Sequence, residues 1–268
     1  MKILQFKRRA PTFPWYVTFF GWVIIQRIIQ VLIIIVYRAK FLGRSNIHSQ
    51  GAIIYVSNHQ SNYDPVLISG LIRDRPFSSM ARAGLFDFKP FGWIIRLFGT
   101  ISLKRGQQDI AAMRAALEVL SRGGCILLFP EGARTPDGTI HPFKRGFLVL
   151  VKKSKAPVVP IAVEGNHDIY PIGQTYPKIR GRMMVKAGKP IPAEELLAKQ
   201  SDKALEDLRK EIDAMRLSCV KNFAMLQEGS SPNPDWQMQV VQEKQLLLRH
   251  ESEHIHTRQS HQNNKCYT

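Results

Sequence analysis

Short apolar runs alternate with amphipathic stretches along most of this chain. Residues 52–57 (AIIYVS) and 125–129 (CILLF) are unbroken apolar runs of strand length, and they read as buried strands. Residues 157–163 and 182–187 read the same way, with weaker strand candidates at 77–81 and 100–103. Between them the apolar period shifts to that of a helix. Residues 109–122 predict one: Asp109 stands at its cap, Ile110, Met113, Leu117 and Leu120 share a face, and Gly123 ends it. Pro65 opens a helix to residue 72, with Asp64 as its N-cap. Residues 144–154 turn Phe147, Leu150 and Val151 inward, and residues 202–223 align Leu205, Leu208, Ile212, Met215 and Cys219. Strands alternating with helices argue for an α/β sheet. Residues 230–234 (SSPNP) form a linker, followed by a Gln- and His-rich tail with one helix candidate at 235–256.

The longest apolar run lies near the start. Residues 15–37 (WYVTFFGWVIIQRIIQVLIIIVY) have the length that crosses a bilayer, about 20 residues. Gln26, Arg27 and Gln30 interrupt the middle. A central Arg costs roughly 2.5–3.5 kcal/mol on insertion, while each Leu, Ile, Phe or Val returns about 0.3–0.6. With 14 residues of those four types, the run still favours the membrane. Trp15, Tyr16, Trp22 and Tyr37 are candidates for the interface. Basic residues flank both sides: Lys2, Lys7, Arg8 and Arg9 before, Arg38, Lys40 and Arg44 after. The positive-inside bias therefore selects no direction, and a hairpin or in-plane segment fits as well as a span. A buried soluble helix is the competing reading.

Charge sharpens this picture. The 268 residues carry 38 Lys or Arg against 21 Asp or Glu, a formal +17. The first 63 residues hold eight basic and no acidic residues, wrapped around the apolar run. Residues 64–226 carry a net +10, and the tail carries −1. Basic residues without interleaved surface aromatics argue against nucleic acid. The charge points instead to an anionic membrane and an anionic substrate. Cys125, Cys219 and Cys266 form no disulfide framework and suit a reducing compartment. Three parts follow: a basic, apolar attachment segment at 1–45, a catalytic domain at 46–226 and a tail at 227–268.

Three segments offer chemistry. In residues 56–65 (VSNHQSNYDP), His59 and Asp64 are five apart. On a helix that spacing separates side chains by about 140°; on a strand it sends them to opposite faces. A turn is needed to pair them, and Asn62 before Pro65 supplies one. A carboxylate on one imidazole nitrogen then fixes the tautomer, leaving the other to take a proton from a hydroxyl. Residues 129–135 (FPEGART) follow a buried strand, where α/β sheets hold ligands. There Gly132 admits close approach, Arg134 offers a planar fork to a phosphate, and Glu131 can hold that arginine or a ligand hydroxyl. Lys104 and Arg105 follow the strand candidate at 100–103 and are further phosphate-binding candidates. Ser57, Ser61 and Cys125 lack a nucleophile elbow. His250, His254 and His256 lack the pattern of a catalytic zinc site, and His167–Asp168 reads as a loop.

In order, these segments resemble the four motifs of the glycerolipid acyltransferase family, in particular the 1-acylglycerol-3-phosphate acyltransferases. Asn58-His59-Gln60-Ser61-x-x-Asp64 is similar to the first motif, Gly99, Ile101 and Arg105 to the second, Phe129-Pro130-Glu131-Gly132-x-Arg134 to the third, and Val159-Pro160-Ile161 to the fourth. The resemblance spans about residues 50–190. Ser102, Ala133 and Thr135 depart from the family's usual residues. The resemblance implies a central mixed sheet flanked by helices. It also implies acyl transfer from acyl-coenzyme A or acyl-carrier protein to the hydroxyl of lysophosphatidic acid. His59 would be the general base, Asp64 its orienter, and Lys104, Arg105, Glu131, Gly132 and Arg134 the substrate contacts. No metal or cofactor is implied. The expected place is a phospholipid membrane, with the catalytic domain on the cytoplasmic side, at the inner membrane in a bacterium. The competing functions are acylation of another acceptor such as glycerol 3-phosphate, hydrolysis by the same pair, and a membrane-binding module without turnover.

Overall fold

The computed structural model describes residues 20, 22, 24–48, 50–72, 75–82, 84, 95, 99–103 and 110–227. The elements in chain order are α1 (Gln26–Tyr37), β1 (Lys40–Leu42), β2 (Ile53–Ser57), α2 (Asp64–Ile72), β3 (Phe77–Arg82), β4 (Ile101–Leu103), α3 (Ile110–Ser121), β5 (Cys125–Leu128), α4 (Gly146–Ser154), β6 (Val158–Glu164), α5 (Asn166–Ile169), β7 (Met184–Ala187), α6 (Ala193–Leu197) and α7 (Ser201–Gln227). The chain divides into two compact units, residues 1–219 and 220–268. Of the second, only the end of α7 is described.

The apolar runs become the middle of one mixed sheet ordered β1-β7-β6-β2-β5-β3-β4. Strands β6, β2, β5, β3 and β4 run parallel, β7 pairs antiparallel with β6, and β1 runs parallel to β7. Every residue of β2 is buried, as expected where helices cover both faces. Alternation assigns the faces. Val158, Ile54 and Ile126 lie in register across three strands and join one core with Ala116, Leu150, Leu208 and Ile212 from α3, α4 and α7. Tyr55, Leu127 and Ile161 join the opposite core with Leu67, Ile68 and Leu71 from α2 and Ile33 from α1. All five residues expected on one face of α7 are buried.

Some expectations are corrected. In α3 the buried stripe is Ala112, Ala116 and Leu120, while Ile110 is exposed. Met113 and Leu117, expected on that face, are partly buried and pack against the same core. Asp64 lies inside the first turn of α2 and does not cap it; its carboxylate points back along the chain. Asp109, Lys104, Arg105, Trp15, Tyr16, Cys266, the 230–234 linker, the 235–256 helix candidate and His250, His254 and His256 lie outside the described residues.

The polar residues of the apolar run reverse the usual logic of a membrane helix. Gln26 and Gln30 are buried, donating from Nε2 to the Ser69 and Gly70 carbonyls of α2 at 3.0 and 3.3 Å. Arg27 donates to Gln30 Oε1 at 3.0 Å. The apolar side chains Ile24, Ile28, Val31, Leu32, Ile34, Ile35 and Val36 face outward. Trp22 and Tyr37 are not interfacial: Trp22 packs edge-on against Phe77 at 5.1 Å, and Tyr37 meets Tyr63. Among the described residues no helix is long and apolar enough to cross a membrane.

Candidate active site

Three neighbouring parallel strands, β5, β2 and β6, end on the same edge of the sheet. His59 follows β2, residues 129–135 follow β5, and Asn166 follows β6. The Asn58 amide extends the β2–β6 ladder with a side chain. Its Oδ1 accepts from the Val163 N–H at 2.8 Å and its Nδ2 donates to the Val163 carbonyl at 3.0 Å. That fixes the backbone entering His59.

The expected pair is formed. His59 Nδ1 lies 2.8 Å from Asp64 Oδ2. The same oxygen accepts from the Gln60 and Ser61 backbone N–H groups at 2.6 and 2.9 Å. Oδ1 accepts from Asn166 Nδ2 at 2.7 Å. Asp64 is fully buried, and these partners replace the water it has lost. A carboxylate accepts only, so the ring proton sits on Nδ1 and the Nε2 lone pair is left to accept a proton. The imidazole stacks on Phe129, with centroids 4.0 Å apart and planes 16° apart, and its side chain is 19% exposed. Held on one face and one edge, the ring has a defined direction and still meets solvent.

The loop after β5 grips the peptide groups of His59 itself. Glu131 Oε1 accepts from the His59 N–H at 2.7 Å and Oε2 from the His141 N–H at 2.9 Å. Thr135 N–H donates to the His59 carbonyl at 2.7 Å. Burial pushes the Glu131 carboxyl above its ordinary range, opposed by those two backbone donors and the nearby histidines. Both Glu131 oxygens are thus engaged with backbone. Gly132 adopts a φ of 75°, the left-handed region where a side chain is disfavoured. Arg134 is half-buried and has no hydrogen-bond or ion-pair partner among the described residues. The strand β4 runs parallel with the site strands and precedes Lys104 and Arg105, which themselves lie outside the described residues.

Other candidates take structural roles. Ser61 Oγ donates to the Tyr170 carbonyl at 2.8 Å, and Ser57 Oγ donates to the Asn58 carbonyl at 3.1 Å; both serines are fully buried. Cys125 is core, and burial raises its thiol. His167 lies against the Pro136 carbonyl at 3.1 Å and braces the loop. Sequence reasoning missed Asn166 and the side chain of Gln60, whose Oε1 accepts from the Asn166 N–H at 3.2 Å and whose Nε2 donates to Glu164 at 3.2 Å. Asn166 lies 102 residues from Asp64, so no local spacing announces it. The stacking of the Phe129 ring on His59 has no signature in the chain.

Residues 38–164 match the family model described as acyltransferase. The chain is 32% identical over 158 residues to a chloroplastic 1-acyl-sn-glycerol-3-phosphate acyltransferase of Brassica napus, covering 58% of this chain and 45% of that one. It is 29% identical over 206 residues to a 1-acyl-sn-glycerol-3-phosphate acyltransferase of Pseudomonas aeruginosa, covering 74% and 75%. This chain thus spans under half the length of the plant relative and three quarters of the bacterial one. The fold is similar to that of PlsC, the 1-acyl-sn-glycerophosphate (LPA) acyltransferase from Thermotoga maritima. The TM-score is 0.61 at 24% identity, covering 78% of this chain and 87% of that one. Residues 38–164 are thus similar to an acyltransferase domain, just under half of this chain.

Proposed function

We propose that this chain transfers a fatty acyl group from an acyl thioester to the free hydroxyl of 1-acylglycerol 3-phosphate, giving phosphatidic acid. The observation that carries this reading is the His59–Asp64 contact, with Nδ1 taken and Nε2 left for substrate. Nε2 accepts the hydroxyl proton as the oxygen attacks the thioester carbonyl. The tetrahedral intermediate expels the thiolate, which takes the proton back from Nε2. One ester forms, one thioester breaks, and the histidine is restored. Asp64 holds the tautomer and supports the transient imidazolium. Ser57 and Ser61 are buried and bonded to backbone carbonyls, which favours direct attack over a seryl intermediate. Arg134 is a cation for the acceptor's phosphate, and Lys104 and Arg105 join it by motif resemblance. Acyl-coenzyme A and acyl-carrier protein are the candidate donors, and the reaction calls on no further cofactor.

The same reading has the domain attached to a phospholipid surface on its cytoplasmic side, with α1 lying in the plane of the interface. The outward row of isoleucine, leucine and valine on α1 supports it. So do the basic residues flanking the apolar run, each worth about 1 kcal/mol near anionic lipid.

The test is a product assay on purified membranes with radiolabelled acyl thioester and lysophosphatidic acid. Phosphatidic acid is the expected product, and His59→Ala should lower its formation by about 10²–10⁴. Free fatty acid as the main product would replace the transferase by a hydrolase. Full activity in His59→Ala would remove the mechanism.

A further inference from the structure

Lys144 lies ten positions beyond Arg134, outside the third motif, and nothing in its local sequence marks it. In the fold it returns to the site. Its N–H donates to the Pro130 carbonyl at 2.9 Å, fastening it to the loop after β5. Its side chain lies over Gly132: a Cβ on that glycine would come within 2.5 Å of Lys144 Nζ, 3.0 Å of Cε and 3.2 Å of Cδ. The missing side chain is therefore the space that the lysine occupies.

That loop is clasped to both peptide groups of His59, through Glu131 on the N–H and Thr135 on the carbonyl. Residues 132–134 and the ammonium above them are thus carried beside the base. Lys144 is exposed and, like Arg134, has no ion-pair partner among the described residues. The next residue differs: Arg145 pairs with Asp202. Glu131, beside Gly132 in the chain, has both oxygens engaged by backbone N–H groups. Lys144, over Gly132, and Arg134, two residues along the same loop, are thus both without an ion-pair partner among the described residues.

We propose that Lys144 is a second cation of the acceptor's phosphate site, acting with Arg134 across Gly132. This rests on the proposed use of 1-acylglycerol 3-phosphate. In that molecule only two carbons and one ester oxygen separate the reacting hydroxyl from the phosphorus, so a hydroxyl at His59 brings its phosphate close by. Arg134 offers a planar fork and Lys144 a compact charge with three donors, which together serve a tetrahedral dianion.

The test pairs kinetics with binding. Wild type, Lys144→Gln and Lys144→Arg are assayed on lysophosphatidic acid, and glycerol 3-phosphate is titrated into each protein as a head-group probe. In Lys144→Gln, KM and the dissociation constant for the probe should both rise about tenfold or more, with kcat nearly unchanged. Lys144→Arg should recover most of both. Weaker probe binding in Lys144→Gln without any wild-type turnover would keep the phosphate site and overturn the proposed activity. Turnover in wild type with both constants unchanged in Lys144→Gln would overturn the role of Lys144, as would a wild-type protein that does not bind the probe.

Discussion

At the residue scale, the site is organised by polar groups that each do one geometric task. Asp64 holds the His59 ring by Nδ1, and Glu131 and Thr135 hold its peptide. Glu131 has a price in pH dependence. Burial raises its carboxyl above the ordinary value, about 4.3 for a free glutamate. The folded state therefore binds that proton more readily than the unfolded state. Its contribution to stability is full below about pH 4.3 and is lost as pH rises through the raised value. Glu131→Gln does not titrate. Denaturant unfolding should show the stability of wild type relative to Glu131→Gln falling as pH rises through that window. A difference that grows with pH would mean that the two N–H donors outweigh burial. The His59–Asp64 pair was legible at this scale because both residues lie within one short segment, six residues from end to end. The stacked Phe129 was not, because contact between two strand ends leaves no periodicity.

At the element scale, α1 is the informative case. Its amphipathy is inverted: glutamines bond to the carbonyls of α2 while aliphatic side chains face out. The described α-helix, Gln26–Tyr37, is 12 residues or about 18 Å long, and Ile24 and Ile25 before it are π-helical. Its buried face explains why the glutamines are tolerated in so apolar a run. They lie where a neighbouring helix supplies acceptors, as buried polar groups require. Ile28, Leu32 and Ile35 are 56%, 53% and 71% exposed. Replacing all three with serine should reduce binding to anionic vesicles and leave the melting temperature nearly unchanged. Ile33→Ala, on the buried face, should instead cost about 2–5 kcal/mol of stability. Unchanged vesicle binding in the triple variant would remove α1 from the lipid contact.

At the scale of the whole molecule, the site depends on contacts distant in sequence. Asn166, at the end of β6, donates to the carboxylate that opens α2. Arg216 on α7 bonds to Glu164, which accepts in turn from Gln60 beside His59. The His59–Asp64 pair is thus braced by three strand ends and, through Glu164, by α7. Removing one brace should loosen the ring without unfolding the domain. Asn166→Ala strips one donor from a fully buried carboxylate and should cost about 1–3 kcal/mol of stability. Because Asp64 then orients His59 less tightly, kcat should fall with KM for the acceptor nearly constant. A change in KM alone would assign Asn166 to substrate binding.

By itself the sequence determined the alternation of strands and helices, the burial of β2 and of all but the last residue of β5, and the His59–Asp64 pair. Each is written locally, in apolar period or in a spacing that only a turn satisfies. The tertiary structure alone decided which strands became neighbours, and so that β2, β5 and β6 end together. It also decided that Glu131 serves the His59 backbone, that Asn166 completes the carboxylate's shell, and that the lysine beside Gly132 is residue 144. Those contacts join residues far apart in the chain, and their energy exists only once the sheet has brought the strand ends to one edge.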